Sequence, residues 1–171
     1  IWSYCLQNKT IKDNYDLKGW FYKRESAEDI LKKIHNPDVI ALSNFVWNTQ
    51  LNHKLAKEIK KKYPKCKVIF GGLGNPNKNR LDNFLEENDY IDIVVNGEGE
   101  LTFEHILIES LKDEPNYKNV EGISTKDLDA NWAPKRVQIT EERRAFYQDQ
   151  WSAVGNEGSG TILRSLEAKV I

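Results

Sequence analysis

The chain has 171 residues, of which 39% are hydrophobic and 30% charged, and its formal net charge is −1. That length suits one domain with a substantial core, and the composition is ordinary for a globular protein. The near-neutral balance gives no bulk electrostatic argument for nucleic acid or an anionic membrane surface, and no apolar run approaches the roughly 20 residues needed to span a bilayer.

The chain opens on IWSYCL, which has the look of the apolar face of a helix. Tyr15 to Lys23 is rich in aromatics and predicts a strand. Ser26 with Asp29 forms a capping pair for a helix whose stripe is Ile30, Leu31 and Ile34. Asn36-Pro37 ends it. Val39 to Ser43 (VIALS) is a buried strand, followed by the loop NFVWN. Asn48 or Thr49 caps the next helix, in which Leu51, Leu55, Ala56 and Ile59 share a face. Lys60, Lys61 and Lys62 close that helix, where cations suit the dipole and read as a solvated face.

Lys67 to Phe70 (KVIF) is the next strand, running into Gly71-Gly72. A polar loop leads to a helix carrying Leu81, Phe84 and Leu85. Ile91 to Val95 (IDIVV) is another buried strand and ends in Gly97-Glu98-Gly99-Glu100. A helix from about Thr102 to Leu111 buries Phe103, Ile106 and Leu107. Val120 to Thr125 predicts one more strand or an extended edge segment. Residues 126–171 read as a linker and an unassigned tail, with GNEGSG as a turn-rich stretch.

Near-continuous β-branched strands are buried on both faces, and helices between them make right-handed crossovers. Ser43, Gly71 and Gly97 are spaced 28 and 26 residues apart, so the βα units are of similar length. The expected fold is therefore α/β: a Rossmann-like, flavodoxin-like parallel sheet with helices on both faces, confined to residues 1–125.

Ligands of such sheets sit in the crevice outside the carboxyl ends of the strands. Three strand ends here are unusual: Ser43-Asn44-Phe45-Val46-Trp47, Gly71-Gly72-Leu73 and Gly97-Glu98-Gly99-Glu100, the last followed by Thr102. Glycines allow close backbone approach, the Ser43 hydroxyl and loop amides can hydrogen-bond a buried heterocycle, and Phe45 and Trp47 offer flat apolar surface. One such loop alone is adequately explained as turn and packing; three on one sheet edge define a candidate site. Neither GxGxxG nor GxxxxGK[ST] is present, which removes the main support for dinucleotides and nucleoside triphosphates.

The segments PDVIALSNFVWN, LAKEIKKKYPKCKVIFGG and YIDIVVNGEGELTFEHIL resemble the N-terminal cobalamin-binding domain of cobalamin-dependent radical S-adenosylmethionine enzymes, over roughly residues 1 to 125. The resemblance implies a domain that is not catalytic alone and that holds cobalamin with its tail extended. It places Ser43 and the Asn44–Trp47 loop beside the corrin or its tail, Gly71 and Gly72 along the tail slot, and Gly97 to Glu100 near the nucleotide portion. It implies a radical domain of the same parent chain as partner, carrying a [4Fe–4S] cluster and S-adenosylmethionine.

The sequence departs from that family in two respects. The family's first strand would precede IWSYCL, so the expectation is a fragment that begins after it; the absence of methionine, position 1 included, fits. No CxxxCxxC is present, and Cys5 and Cys66 cannot ligate a cluster; they read as reduced thiols of a cytoplasmic protein. No DxHxxG supplies an axial histidine, which many radical members of the family lack as well, and His35, His53 and His105 fall in helical patterns that suit surface or helix-end positions. A second reading, a nucleotide-sugar or glycosyl-transfer enzyme, would use Glu98 and Glu100 as acid/base or metal-binding carboxylates. A third, a receiver-like module, requires an aspartate trio at strand ends that the sequence lacks.

Overall fold

The computed structural model describes residues 1–23 and 25–127 and the backbone of residues 168–170. Six helices, α1 (Trp2–Cys5), α2 (Lys9–Asn14), α3 (Ala27–Lys33), α4 (Thr49–Lys62), α5 (Lys78–Glu87) and α6 (Gly99–Ser110), alternate with strands β1 (Gly19–Phe21), β2 (Val39–Ser43), β3 (Lys67–Gly71), β4 (Ile93–Val95), β5 (Ile123–Ser124) and β6 (Ala168–Val170). The sheet order is β1-β6-β2-β3-β4-β5. The pairs β2–β3 and β3–β4 are parallel. They form the centre that the β-branched runs predict.

Alternation along these strands sorts the core into two halves. Ile40, Leu42, Val68, Phe70 and Val94 face α3, α4 and α5, where they meet Ile30, Leu55, Ile59, Leu81 and Leu85. Val39, Ile69, Ile93 and Val95 face the other way, onto Trp2, Cys5, Ile11, Phe103, Ile106 and Leu107 of α1, α2 and α6. Helices therefore cover both faces. Each fully buried Ile or Leu stabilises the fold by about 1.5–3 kcal/mol relative to exposure, and these layers hold the strand ends in place.

Several expectations need correction. The strand expected over 15–23 is only Gly19–Phe21; Tyr15 caps α2, and its hydroxyl donates to Leu107 O at 2.9 Å. The sheet is parallel only at its centre, because β5 runs antiparallel to β4. β1 and β2 are not neighbours. β6, from the segment read as an unassigned tail, lies between them and antiparallel to both. The rest of the predicted linker and tail, including the GNEGSG stretch, lies outside the described residues. Finally, α6 begins at Gly99, about three residues early, so Gly99 and Glu100 form its first turn rather than a loop.

The Ser26 cap is as predicted: its hydroxyl accepts from Asp29 N at 3.2 Å and donates to the Asp29 carboxylate at 2.8 Å. Among the described residues no helix is long and apolar enough to cross a membrane.

Candidate functional site

The carboxyl ends of β2, β3 and β4 open on one cleft of about 190 Å³. It is lined by Ala41, Leu42, Ser43, Ile69, Gly71, Gly72, Val95, Gly97, Gly99 and Phe103, with Ile1 at its side. Its walls are predominantly apolar, and Ser43 is the one polar side chain among these described lining residues. Glycine makes the space. A Cβ added to Gly71 would meet only the Val95 side chain, at 3.9 Å, and one added to Gly97 would meet nothing within 4 Å.

The first two loops are locked together by Asn44. Its backbone N–H donates to Gly71 O at 2.6 Å, and its carbonyl accepts from Gly74 N at 2.8 Å. Its side-chain oxygen accepts from Thr49 Oγ1 at 2.8 Å and Asn52 Nδ2 at 3.3 Å, and its Nδ2 donates to Asn75 Oδ1 at 3.1 Å. Asn48 does not cap α4 with its side chain. Instead its Oδ1 accepts from Phe45 N at 2.7 Å, and its Nδ2, with that of Asn52, donates to Ser43 O. Asn44, Asn48 and Asn52 are buried. A buried amide is costly unless its groups are paired, so this network rigidifies the floor of the cleft.

Gly72 is held against this floor. Its φ is +92°, and an added Cβ would lie 2.6 Å from Asn44 O. Above the floor, the Phe45 and Trp47 rings stack with centroids 4.8 Å apart and planes 2° from parallel. Val46, Trp47 and Leu73 are exposed, at 86%, 61% and 92%. These three exposed apolar side chains lie on the two loops that Asn44 joins.

The helix termini are divided in the same way. α2 and α3, away from the cleft, are capped by the side chains of Asn8 and Ser26. α4, α5 and α6, which follow the three site strands, have no side-chain cap on their N-terminal N–H groups. Such groups favour acceptors and anions.

The predicted site residues therefore fall into three groups. Ser43, Gly71, Gly72, Gly97 and Gly99 line the cleft. Phe45, Val46, Trp47 and Leu73 belong to the loops at the rim. Asn44 lies beneath the surface. Glu98 and Glu100 flank the α6 terminus, part-exposed, and among the described residues no group of three or more His, Cys, Asp or Glu is placed to hold a metal. Thr102 is fully buried and faces Gly122 rather than appearing among the lining residues; its hydroxyl has no hydrogen-bond partner. Sequence reasoning missed Asn52, Thr49 and Asn75. Thr49 and Asn52 lie beside the apolar stripe of α4 and Asn75 in the polar loop before α5, and polar residues in either place read equally well as solvent-facing surface.

His53 is not a surface residue as expected. It is half-buried against Phe70, Phe84 and Tyr90, remote from the cleft lining. Its Nδ1 lies 2.6 Å from the Tyr90 hydroxyl, which itself donates to Asn88 Oδ1. Burial, with the Lys57 charge, pulls the His53 pKa below 6.5. Burial pushes the Cys66 thiol up to about 12.

A Rossmann-like α/β domain with an apolar, glycine-cut slot at the carboxyl edge of its parallel strands has that slot where open α/β sheets bind their ligands. The family described as "B12 binding domain" matches residues 15–107, and the chain belongs to it. Among curated proteins it is similar to the cobalamin-dependent radical SAM methyltransferase TokK of Streptomyces tokunonensis, 36% identical over 124 residues. It is likewise similar to 2-(S-pantetheinyl)-carbapenam-3-carboxylate methyltransferase of Streptantibioticus cattleyicolor, 34% identical over 124 residues. Each match covers 72% of this chain and 18% of the relative. The chain thus spans under a fifth of the length of these relatives. The alternative reading, an enzyme using Glu98 and Glu100, finds no support in these comparisons.

Proposed function

We propose that this chain holds cobalamin with the base at the tip of its nucleotide tail in the slot between Ser43, Gly71, Gly97 and Gly99, and the corrin over the Phe45–Trp47 and Leu73 rim. The observation that carries the reading is the slot itself: an apolar cleft kept open by glycines at three successive strand ends. The uncapped N-termini of α4, α5 and α6 suit the amide and phosphate oxygens that a corrinoid carries. Asn44 positions the two loops, and Thr102, behind the lining, packs the α6 flank that Glu98 and Glu100 begin. When bound, cobalamin supplies a cobalt centre able to carry a methyl group or an electron. The chain's own residues orient it and exclude water from its tail.

The same reading extends to the parent protein. It is a cytoplasmic methyltransferase-like enzyme in which a radical domain of the same chain, with a [4Fe–4S] cluster and S-adenosylmethionine, works on the exposed corrin face. Cys5 and Cys66 are both buried and not joined to one another.

Incubating the chain with hydroxocobalamin and passing it through gel filtration tests the site. The expected result is co-elution of a corrinoid spectrum with protein. Gly71→Ala should weaken cobalamin binding by about tenfold, the cost of overfilling a fitted space, and leave cobinamide, which lacks the nucleotide tail, unchanged. A folded chain that retains no corrinoid overturns the proposal.

A further inference from the structure

Resting on that reading, we infer that the slot selects among corrinoids by the base that ends the tail, favouring benzimidazole or phenol-type bases over purines. Among the described lining residues only Ser43 carries a polar side chain; Ala41, Leu42, Ile69, Val95, Phe103 and the glycines supply none. Two backbone acceptors beside it are already engaged. Ser43 O accepts from Asn48 and Asn52, and Gly71 O accepts from Asn44 N.

A benzimidazole released from cobalt exposes one ring nitrogen, an acceptor that a single hydroxyl satisfies. A phenol-type base exposes none. An adenine base brings an exocyclic amine with two donors; the uncapped N–H groups at the start of α6 can serve ring acceptors but not that amine, and one hydroxyl cannot accept both of its donors. Polar groups left unpaired in an apolar site weaken binding steeply. The shape of the slot gives no such discrimination, because its glycine side is open: an added Cβ at Gly97 would meet nothing within 4 Å.

The test measures dissociation constants of the 171-residue chain for four corrinoids by tryptophan quenching, with circular dichroism to verify folding. The four are cobalamin, a phenolyl cobamide, an adeninyl cobamide and cobinamide. The expected result is cobalamin and the phenolyl form bound comparably, and the adeninyl form weaker by about tenfold to a hundredfold. Ser43→Ala should weaken cobalamin and not the phenolyl form. Val95→Thr, which adds a hydroxyl at constant shape, should narrow the gap to the adeninyl form.

Equal affinity for the adeninyl form and cobalamin, with cobinamide weaker, overturns the selectivity while leaving the tail in the slot. Equal affinity for cobinamide and cobalamin removes the tail from the slot and the selectivity with it, while corrinoid binding stands. Binding of none of the four by a folded chain overturns the cobalamin reading as well.

Discussion

Gly71 and Gly72 are adjacent in sequence and serve different ends. Gly71 has ordinary extended backbone as the last residue of β3, and its missing side chain is space in the cleft. Gly72 has φ +92°, and its missing side chain is room for the Asn44 carbonyl. Alanine should therefore separate the two. Gly72→Ala combines backbone strain with a backbone clash and should cost about 2–3 kcal/mol of stability. Gly71→Ala should cost under about 1 kcal/mol, since it meets no strain and only an ordinary contact. Urea denaturation of both variants checks this, and equal losses would contradict the division of labour. The sequence makes the GG pair visible as a ligand-approach signal. Which glycine serves the ligand and which the loop follows only from the partner loop, 28 residues away, that packs against it.

Elements were legible where one periodicity ruled. β2 and α4 have the predicted limits because a β-branched run and a 3.6-residue stripe each sit between clear breakers. β1 was overread because aromatics that favour strands also pack well elsewhere: Tyr15 ends a helix and reaches across to α6. The start of α6 was misplaced because glycines at its first turn read as loop. Amide residues on α4 were invisible for a related reason. Asn52 and His53 break the apolar stripe, and a polar residue there carries no mark of whether it is wet or buried.

His53 gives α4 a pH dependence of its own. Its folded pKa lies below the ordinary 6.5, so the unfolded chain takes the proton first. The contribution of His53 to stability is thus fully present above pH 6.5 and is lost as pH falls from 6.5 through the lower folded value. Because Tyr90 donates to Asn88, it accepts from His53 Nδ1–H, and the neutral tautomer satisfies the cluster. Urea midpoints measured between pH 7.5 and 5 should fall for the native chain. His53→Gln should start lower and vary less over the same range. An unchanged slope in the variant would assign the effect to other groups.

At the scale of the whole molecule, the cleft joins loops that lead to helices on opposite faces of the sheet. β2, β3 and β4 are neighbours in the sheet, but their loops belong to three βα units whose helices lie on opposite faces: α4 and α5 on one, α6 on the other. Asn44 ties the first two loops. Among the described residues no hydrogen bond ties the third, Gly97–Glu100, to the first two, and a Cβ added at Gly97 would meet nothing within 4 Å. A ligand that fills the slot would supply the missing connection, so its binding energy should appear as cooperativity between the two faces. Cobalamin at about 100 times its dissociation constant should add about 2.7 kcal/mol to stability. In hydrogen exchange the added protection should fall on the amides of residues 43–48, 71–75 and 97–101 together. Cobinamide at the same saturation should protect the first two loops and leave 97–101 exchanging as in the free chain. Protection confined to 43–48 with either ligand would mean that corrinoid rests on the rim alone and that the slot is not its seat.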